Sequence, residues 1–390
     1  MKAFLNWFLS RTVRHARQMC GHADKLISAQ RDLLTPSAIS AVQQATKDLY
    51  DSTRGSIDRA VIEQKMTVLN DTAEKWLKRY PHASYRENVE VFLVAIAVAM
   101  GIRTFLLQPF KIPTGSMQPT LYGVTAENRP GDPTFVIPGT LKRWWDFISA
   151  GATYYHIVAR NDGEFSLMDE QPSRFLLFNL RQRFKIGDEV YTVWFPPENL
   201  FPKHAQLGYG VTFRAGQDVL KMRAVSGDHL FVDRMTYNFR RPTRGDIVVF
   251  KTYGIKYRNM SEDQHYIKRL VALGGEKIQI GNDRHAVING KRLDSSTPHF
   301  EKIYDESKWA EDGYMGHVNA RFRPSLGIPL FPDGDSVLNV PEDHYFVMGD
   351  HTCDSSDSRY WGTFPKENVI GKSFFVYWPF GKRFGWWGHD

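Results

Sequence analysis

Cysteine is nearly absent from this chain. Two residues, Cys20 and Cys353, stand among 390. They are too few and too far apart for a disulfide framework or a thiolate zinc site. Paired Cys/His spacing and an RNP-like aromatic strand are also missing, and no helix-turn-helix is recognisable. A nucleic-acid partner therefore has no motif to rest on. The formal charge of +7 and pI near 9.2 then read as a basic surface facing cytosol or membrane. The opening "MKAFLNWFLSRTVRH" lacks a small-residue cleavage pattern and is not a secretory signal. Disorder is excluded by composition, since 42% hydrophobic and 14% aromatic residues can bury a substantial core.

Long apolar runs are scarce too, and the exception organises the molecule. From Val91 to Ile102 twelve apolar or glycine residues run unbroken, followed by Arg103, Thr104 and then Phe105, Leu106 and Leu107. That length approaches what a spanning helix needs, and Arg103 can snorkel to the interface. Lys75, Lys78, Arg79 and Arg86 precede the run. Only Lys111 follows in the next two dozen residues. The positive-inside bias predicts residues 1–87 in the cytoplasm, an anchor over 88–108 and residues 109–390 outside, with the two cysteines on opposite sides. The cytoplasmic segment carries 14 Lys/Arg against nine Asp/Glu, which suits an anionic inner leaflet.

Residues 1–87 read as helical. Thr35-Pro36 offers an N-cap followed by a first-turn proline, with Ile39, Val42 and Leu49 on one face. Ile62, Met66, Leu69, Ala73 and Trp76 alternate spacings of four and three. This heptad-like seam fits a small helical hairpin or a helix that binds an unidentified partner. Past the anchor, runs such as "GDIVVFKTY", "HYIKRLVAL" and "HYFVMGD" are short strands punctuated by Gly, Asp, Asn and Pro. Asn289-Gly290 marks a hairpin turn, and Gly245-Asp246 a turn into the strand from Ile247 to Phe250. The fold class is mainly β, an antiparallel domain behind one membrane helix and an N-terminal helical segment.

Chemistry centres on "IPTGSMQPT", residues 112–120. Pro113 and Pro119 pin a turn around Gly115 and Ser116. A serine hydroxyl needs a base to become nucleophilic. None of the 13 histidines shares a local signature with it, and no G-x-S-x-G elbow is present. Ser116 lies about ten residues past the apolar run, so it would sit close to the outer membrane surface.

Four stretches in order carry a resemblance: "RTFLLQPFKIPTGSMQPTL", "SGDHLFVDRMTYNFRRPTRGDIVVFK", "HYIKRLVALGGEKI" and "YFVMGDHTCDSSDSRYWG". Together they resemble the boxes of bacterial type I signal peptidases, membrane-anchored serine endopeptidases that remove signal peptides from exported preproteins. The resemblance implies Ser116 as nucleophile and Lys268 as general base, with no metal or nucleotide cofactor. It implies Thr114 as an oxyanion-hole donor beside the Ser116 backbone N–H. Ser355 would hydrogen-bond the lysine amine, and Asp357 and Arg359 would pair to brace the site. Small residues at the first and third positions before the cut are implied as the preference. The partners implied are signal-peptide-bearing preproteins and the lipid bilayer. The period of two in "HYIKRLV" puts Tyr266, Lys268 and Leu270 on one face, where an apolar setting would lower the lysine pKa.

This sequence departs from the pattern at His351, where the family usually has Asn, and at Cys353. About 100 residues rich in Trp, Tyr and Phe, at about 124–225, interrupt the family pattern. They fit an inserted subdomain packed beside the core or a surface that touches lipid headgroups. Alternative readings are a self-cleaving repressor-type Ser/Lys peptidase, a degenerate binding protein and a His-dependent hydrolase using His351 or His265.

Overall fold

Three short polar residues open three helices. Ser10, Thr35 and Asp58 cap α1 (Arg11–Gln30), α2 (Pro36–Ser52) and α3 (Arg59–Trp76), each accepting first-turn N–H groups that would otherwise lack partners. Pro36 occupies the first helical position, as the Thr35-Pro36 pair predicts. In the computed structural model, which describes residues 10–54, 58–78, 83–175, 178–257, 260–309 and 314–386, these helices share one core. Val13, Ala16, Cys20, Val42, Leu49, Ile62 and Leu69 fill it, with Met66 against its edge. The heptad-like seam of α3 is thus the inner face of a three-helix bundle, while Trp76 stays largely outside. Residues 1–9 and Arg79 lie outside the described residues.

The bundle belongs to one compact unit, Met1–Ala97, and the rest of the chain to a second, Val98–Asp390. Helix α4 (Ala83–Gly101) continues through a π-helical turn, Ile102–Leu106. Its apolar stretch Tyr85–Leu106 has 22 residues, none buried, and among the described residues it is the one helix long and apolar enough to cross a membrane. At 1.5 Å per residue it is about 33 Å long, close to the thickness of a hydrocarbon core.

The second unit is mainly antiparallel β. Strand β1 (Leu107–Lys111) follows the helix directly. An inserted region then supplies β2 (Thr125–Asn128), helix α5 (Thr140–Ala150), β3 (Ala152–Val158), β4 (Gly163–Leu167), β5 (Ser173–Phe175), β6 (Phe178–Ile186), β7 (Glu189–Trp194), β8 (Thr212–Phe213) and β9 (Asp218–Val225). The chain continues with β10 (His229–Asp233), β11 (Ile247–Lys251), β12 (His265–Ala272), β13 (Lys277–Ile280), β14 (Ala286–Ile288), β15 (Lys291–Arg292), β16 (Val337–Asn339), β17 (His344–Met348), β18 (Phe364–Pro365) and β19 (Val369–Trp378).

Seven strands in the order β1-β10-β19-β11-β12-β17-β18 form the main sheet, paired antiparallel throughout. A smaller sheet, β15-β14-β13-β16, covers a core built on Ile278, Phe300, Phe331 and Phe346. Its hairpin turn is Asn289-Gly290, with both residues at positive φ (50° and 82°), the geometry that favours Asn-Gly in two-residue turns. The inserted strands form two sheets, β2-β9-β3 and β5-β6-β4-β8, with β7 on β6. They close on a core of their own, in which Phe184 stacks on Tyr191 at 5.1 Å and meets Phe165 and Phe201. Tyr155, Phe165, Phe184, Tyr191 and Phe201 are taken up by this packing, whereas Trp144, Trp145, Phe147, Phe175, Trp194, Phe195 and Tyr209 stay exposed.

Candidate active site

The turn that carries Ser116 is held by its own backbone and by a distant loop. The N–H groups of Thr120 and Leu121 both donate to the Met117 carbonyl, and that of Gln118 to Gly115. Met117 and Leu121 are buried in the core beneath the turn. The Ser116 carbonyl accepts the His351 N–H at 3.1 Å. Gly349 has to be glycine: a Cβ there would collide with both the Ser116 carbonyl and the Ser355 hydroxyl.

Lys268 comes from the middle of β12, where Val248 of β11 is its register partner. Its Nζ lies 2.6 Å from Ser116 Oγ, and both residues are buried, at 5% and 4% exposure. Among the described residues this is the amine's one hydrogen bond. The Tyr266 ring lies 5.4 Å away. Burial disfavours the ammonium and outweighs the raising effect of the Asp357, Asp350 and Asp354 carboxylates, so the pKa falls to about 8. At pH 7 about one amine in ten is then neutral, against roughly three in ten thousand for an unperturbed lysine.

Asp357 and Arg359 form a fully buried bidentate pair: Arg359 Nε and Nη2 donate to the two carboxylate oxygens, each at 2.8 Å. Arg359 also donates to Thr352 Oγ1, to the Thr352 carbonyl and to the Val318 carbonyl. Asp357 accepts the Gly349 N–H at 3.0 Å. Burial would raise the carboxyl pKa, but the guanidinium charge and these bonds more than offset it and hold it low. The pair therefore braces the loop that touches Ser116.

Ser355 and Thr114 flank this pair and the serine. Ser355 is buried beside Asp357, whose charge it helps to hold, yet its hydroxyl makes no well-formed hydrogen bond among the described residues. Among the described residues Ser355 and the lysine share no hydrogen bond, and the amine bonds Ser116 instead. Thr114 is exposed at the mouth of the turn, and a Cβ on Gly123 would collide with its backbone. The Ser116 N–H has no acceptor among the described residues, which leaves it free for a ligand oxygen.

A second buried pair was not legible as a site. Arg269, next to Lys268, donates Nε and Nη2 to Asp350 at 2.8 and 2.7 Å. Thr120 Oγ1 lies 2.5 Å from Asp350 and 3.2 Å from Arg269, which ties the serine turn to β12. The available signal was a guanidinium embedded in the apolar run "YIKRLVAL". Neither histidine of the alternative reading bonds Ser116 through its ring. His351 packs against Tyr314 at 5.1 Å, and His265 lies against Phe110 at 5.4 Å. Cys353 Sγ is 2.9 Å from Arg323 Nη1. Among the described residues no group of His, Cys, Asp and Glu is placed to hold a metal ion.

A buried Ser/Lys pair on an antiparallel sheet defines a class of serine hydrolase. The family described as "Signal peptidase, peptidase S26" matches residues 85–126 and 220–378, just over half of the chain. Signal peptidase I of Aquifex aeolicus (strain VF5) is 32% identical over 183 residues, covering 39% of this chain and 69% of that protein. Signal peptidase I of Leptolyngbya laminosa is 30% identical over 153 residues, covering 39% and 61%. A crystal structure of a signal peptidase I from Enterococcus faecalis V583 aligns at 25% identity over 34% of this chain and 97% of that one, with a TM-score of 0.25. The chain thus spans 69% of the length of the Aquifex relative and 61%, less than two thirds, of the Leptolyngbya one. It belongs to the S26 signal peptidase family.

Proposed function

We propose that the protein is a membrane-anchored signal peptidase I that removes N-terminal signal peptides from exported preproteins. The observation that carries this reading is the 2.6 Å contact between buried Ser116 Oγ and Lys268 Nζ. Neutral Lys268 accepts the serine proton as Oγ attacks the scissile carbonyl. The Ser116 N–H, which has no acceptor among the described residues, donates to the oxyanion, and the Thr114 hydroxyl is assigned beside it. Lys268 then protonates the leaving amine, the acyl-enzyme forms, and water activated by the same amine hydrolyses it. Ser355, Asp357 and Arg359 keep the loop and the amine in place.

The apolar helix Tyr85–Leu106 supplies the anchor. Residues 1–87 are assigned to the cytoplasm and 109–390 to the far side, with the region at about 124–225 as an inserted subdomain. The test is incubation of the detergent-solubilised full chain with a preprotein whose signal peptide ends in Ala-x-Ala, read by product mass. Wild type is expected to cut after the last Ala, and Ser116→Ala and Lys268→Ala to leave the substrate intact. Folded wild type that does not cut would instead mark a binding protein, and cleavage by Lys268→Ala would mean that another group is the base.

A further inference from the structure

Helix α5 is amphipathic in the wrong direction for a helix of a globular domain. Leu141, Trp144, Trp145 and Ile148 stand at i, i+3, i+4 and i+7, which places them within one arc of about 100°. Such a stripe ordinarily faces a core. Here it faces outward: Leu141 is 88% exposed, Trp145 67% and Trp144 63%. The opposite, more polar face docks on the protein instead. Asp146 accepts the Tyr154 hydroxyl at 2.8 Å, Arg143 donates to the Tyr154 carbonyl, and Phe147 meets Trp378 at 5.8 Å.

The helix is also fixed in place. Trp378 Nε1 donates to the Ile148 carbonyl at 3.1 Å. Gly151, at φ 65°, ends the helix where a Cβ would come within 2.8 Å of the Trp378 ring. Trp378 pairs with His229, and His229 with Lys111 at the end of β1. Two strand spacings, about 10 Å, therefore separate this anchor point from the strand that leads from the apolar helix to Ser116.

We propose that the outward face of α5 is a second membrane contact, seated in the headgroup region of an anionic bilayer. Two observations select lipid as the occupant. The paired tryptophans have the apolar body and polar N–H that favour the interface, and Lys142, exposed at the edge of the stripe 3.7 Å from Asp146, complements anionic headgroups. The stripe also lies in the same unit as the end of the candidate span, and its anchor point is two strands away from the strand that leaves that span. This inference rests on the membrane location given above but not on peptidase activity.

The test uses the full chain in vesicles of phosphatidylglycerol and phosphatidylcholine with shallow-brominated acyl chains. Cys20 and Cys353 are replaced by Ser, and an environment-sensitive fluorophore is attached at Trp145→Cys or, as control, at exposed Ser295→Cys. The label at 145 is expected to lose about half its emission to bromine and to shift to the blue, with none of this at 295. The combined change Leu141→Ser, Trp144→Ser and Ile148→Ser should abolish the quenching. The unchanged melting temperature of that variant in detergent would show that the fold survives. Equal, weak quenching at 145 and 295 would overturn the proposal. So would a blue shift at 145 without bromine quenching that grows with protein concentration, which would assign the face to a second copy of the chain.

Discussion

At Lys268 two effects act against each other, and their balance decides the chemistry. Desolvation lowers the pKa, three carboxylates raise it, and the outcome is about 8. The amine is thus mostly protonated at pH 7 and mostly neutral above 8. Expected kcat/KM on a peptide substrate rises nearly tenfold per pH unit below 8 and levels above it. Lys268→Arg is expected to lose at least 10³-fold, since a guanidinium keeps its proton, and a pH–rate profile of both proteins checks this. Asp357→Asn leaves Arg359 charged and unpaired in the interior. A loss of about 3–5 kcal/mol is expected in denaturant titrations near neutral pH. The Asp357 pKa is lowered on folding, so its stabilisation is complete above its unfolded pKa of about 3.9 and is lost as the pH falls through the lower folded value. The gap between wild type and Asp357→Asn should therefore close in strong acid.

At the scale of elements, the close approach of three backbone segments is the sensitive point. Gly349→Ala would push the end of β17 away from the Ser116 carbonyl. Activity is expected to fall by at least 10²-fold, because displacing a reacting group by about 1 Å carries a cost of that order. Parallel melting curves and peptide kinetics separate this from unfolding. Much at this scale was readable in the residues. The Thr35 cap, the Asn289-Gly290 hairpin and the strand after Gly245-Asp246 each follow from local chemistry. The seam of α3 was readable as a seam, but its partners α1 and α2 were not, since a helical period says nothing about what covers it. Ser116 and Lys268 lie 152 positions apart, and no spacing rule spans that gap. The family boxes linked them. The Arg269–Asp350 pair stayed hidden because a strand charge looks the same in sequence whether it meets water or a buried carboxylate.

At the scale of the whole molecule, the family match stops at residue 126 and resumes at 220, while β2 and β9 pair directly across that gap. An insertion closed by adjacent antiparallel strands leaves the entry and exit side by side, which is how a long segment can be accommodated without disturbing the main sheet. The membrane reading has its own consequence for accessibility. In intact cells an impermeant maleimide is expected to label exposed Ser295→Cys, and Ser28→Cys only after the membrane is breached. Labelling of both without permeabilisation would contradict the orientation.

The distance along the chain between Ser116 and Lys268 also has a consequence in time. At translation rates of 5–20 residues per second, roughly 8–30 s pass between synthesis of the serine and synthesis of its base. The loop of residues 349–359 that props the turn comes later still. On the proposed reading, a nascent chain inserts its apolar helix while carrying an inert hydroxyl, and the site is complete only once residue 359 has been made.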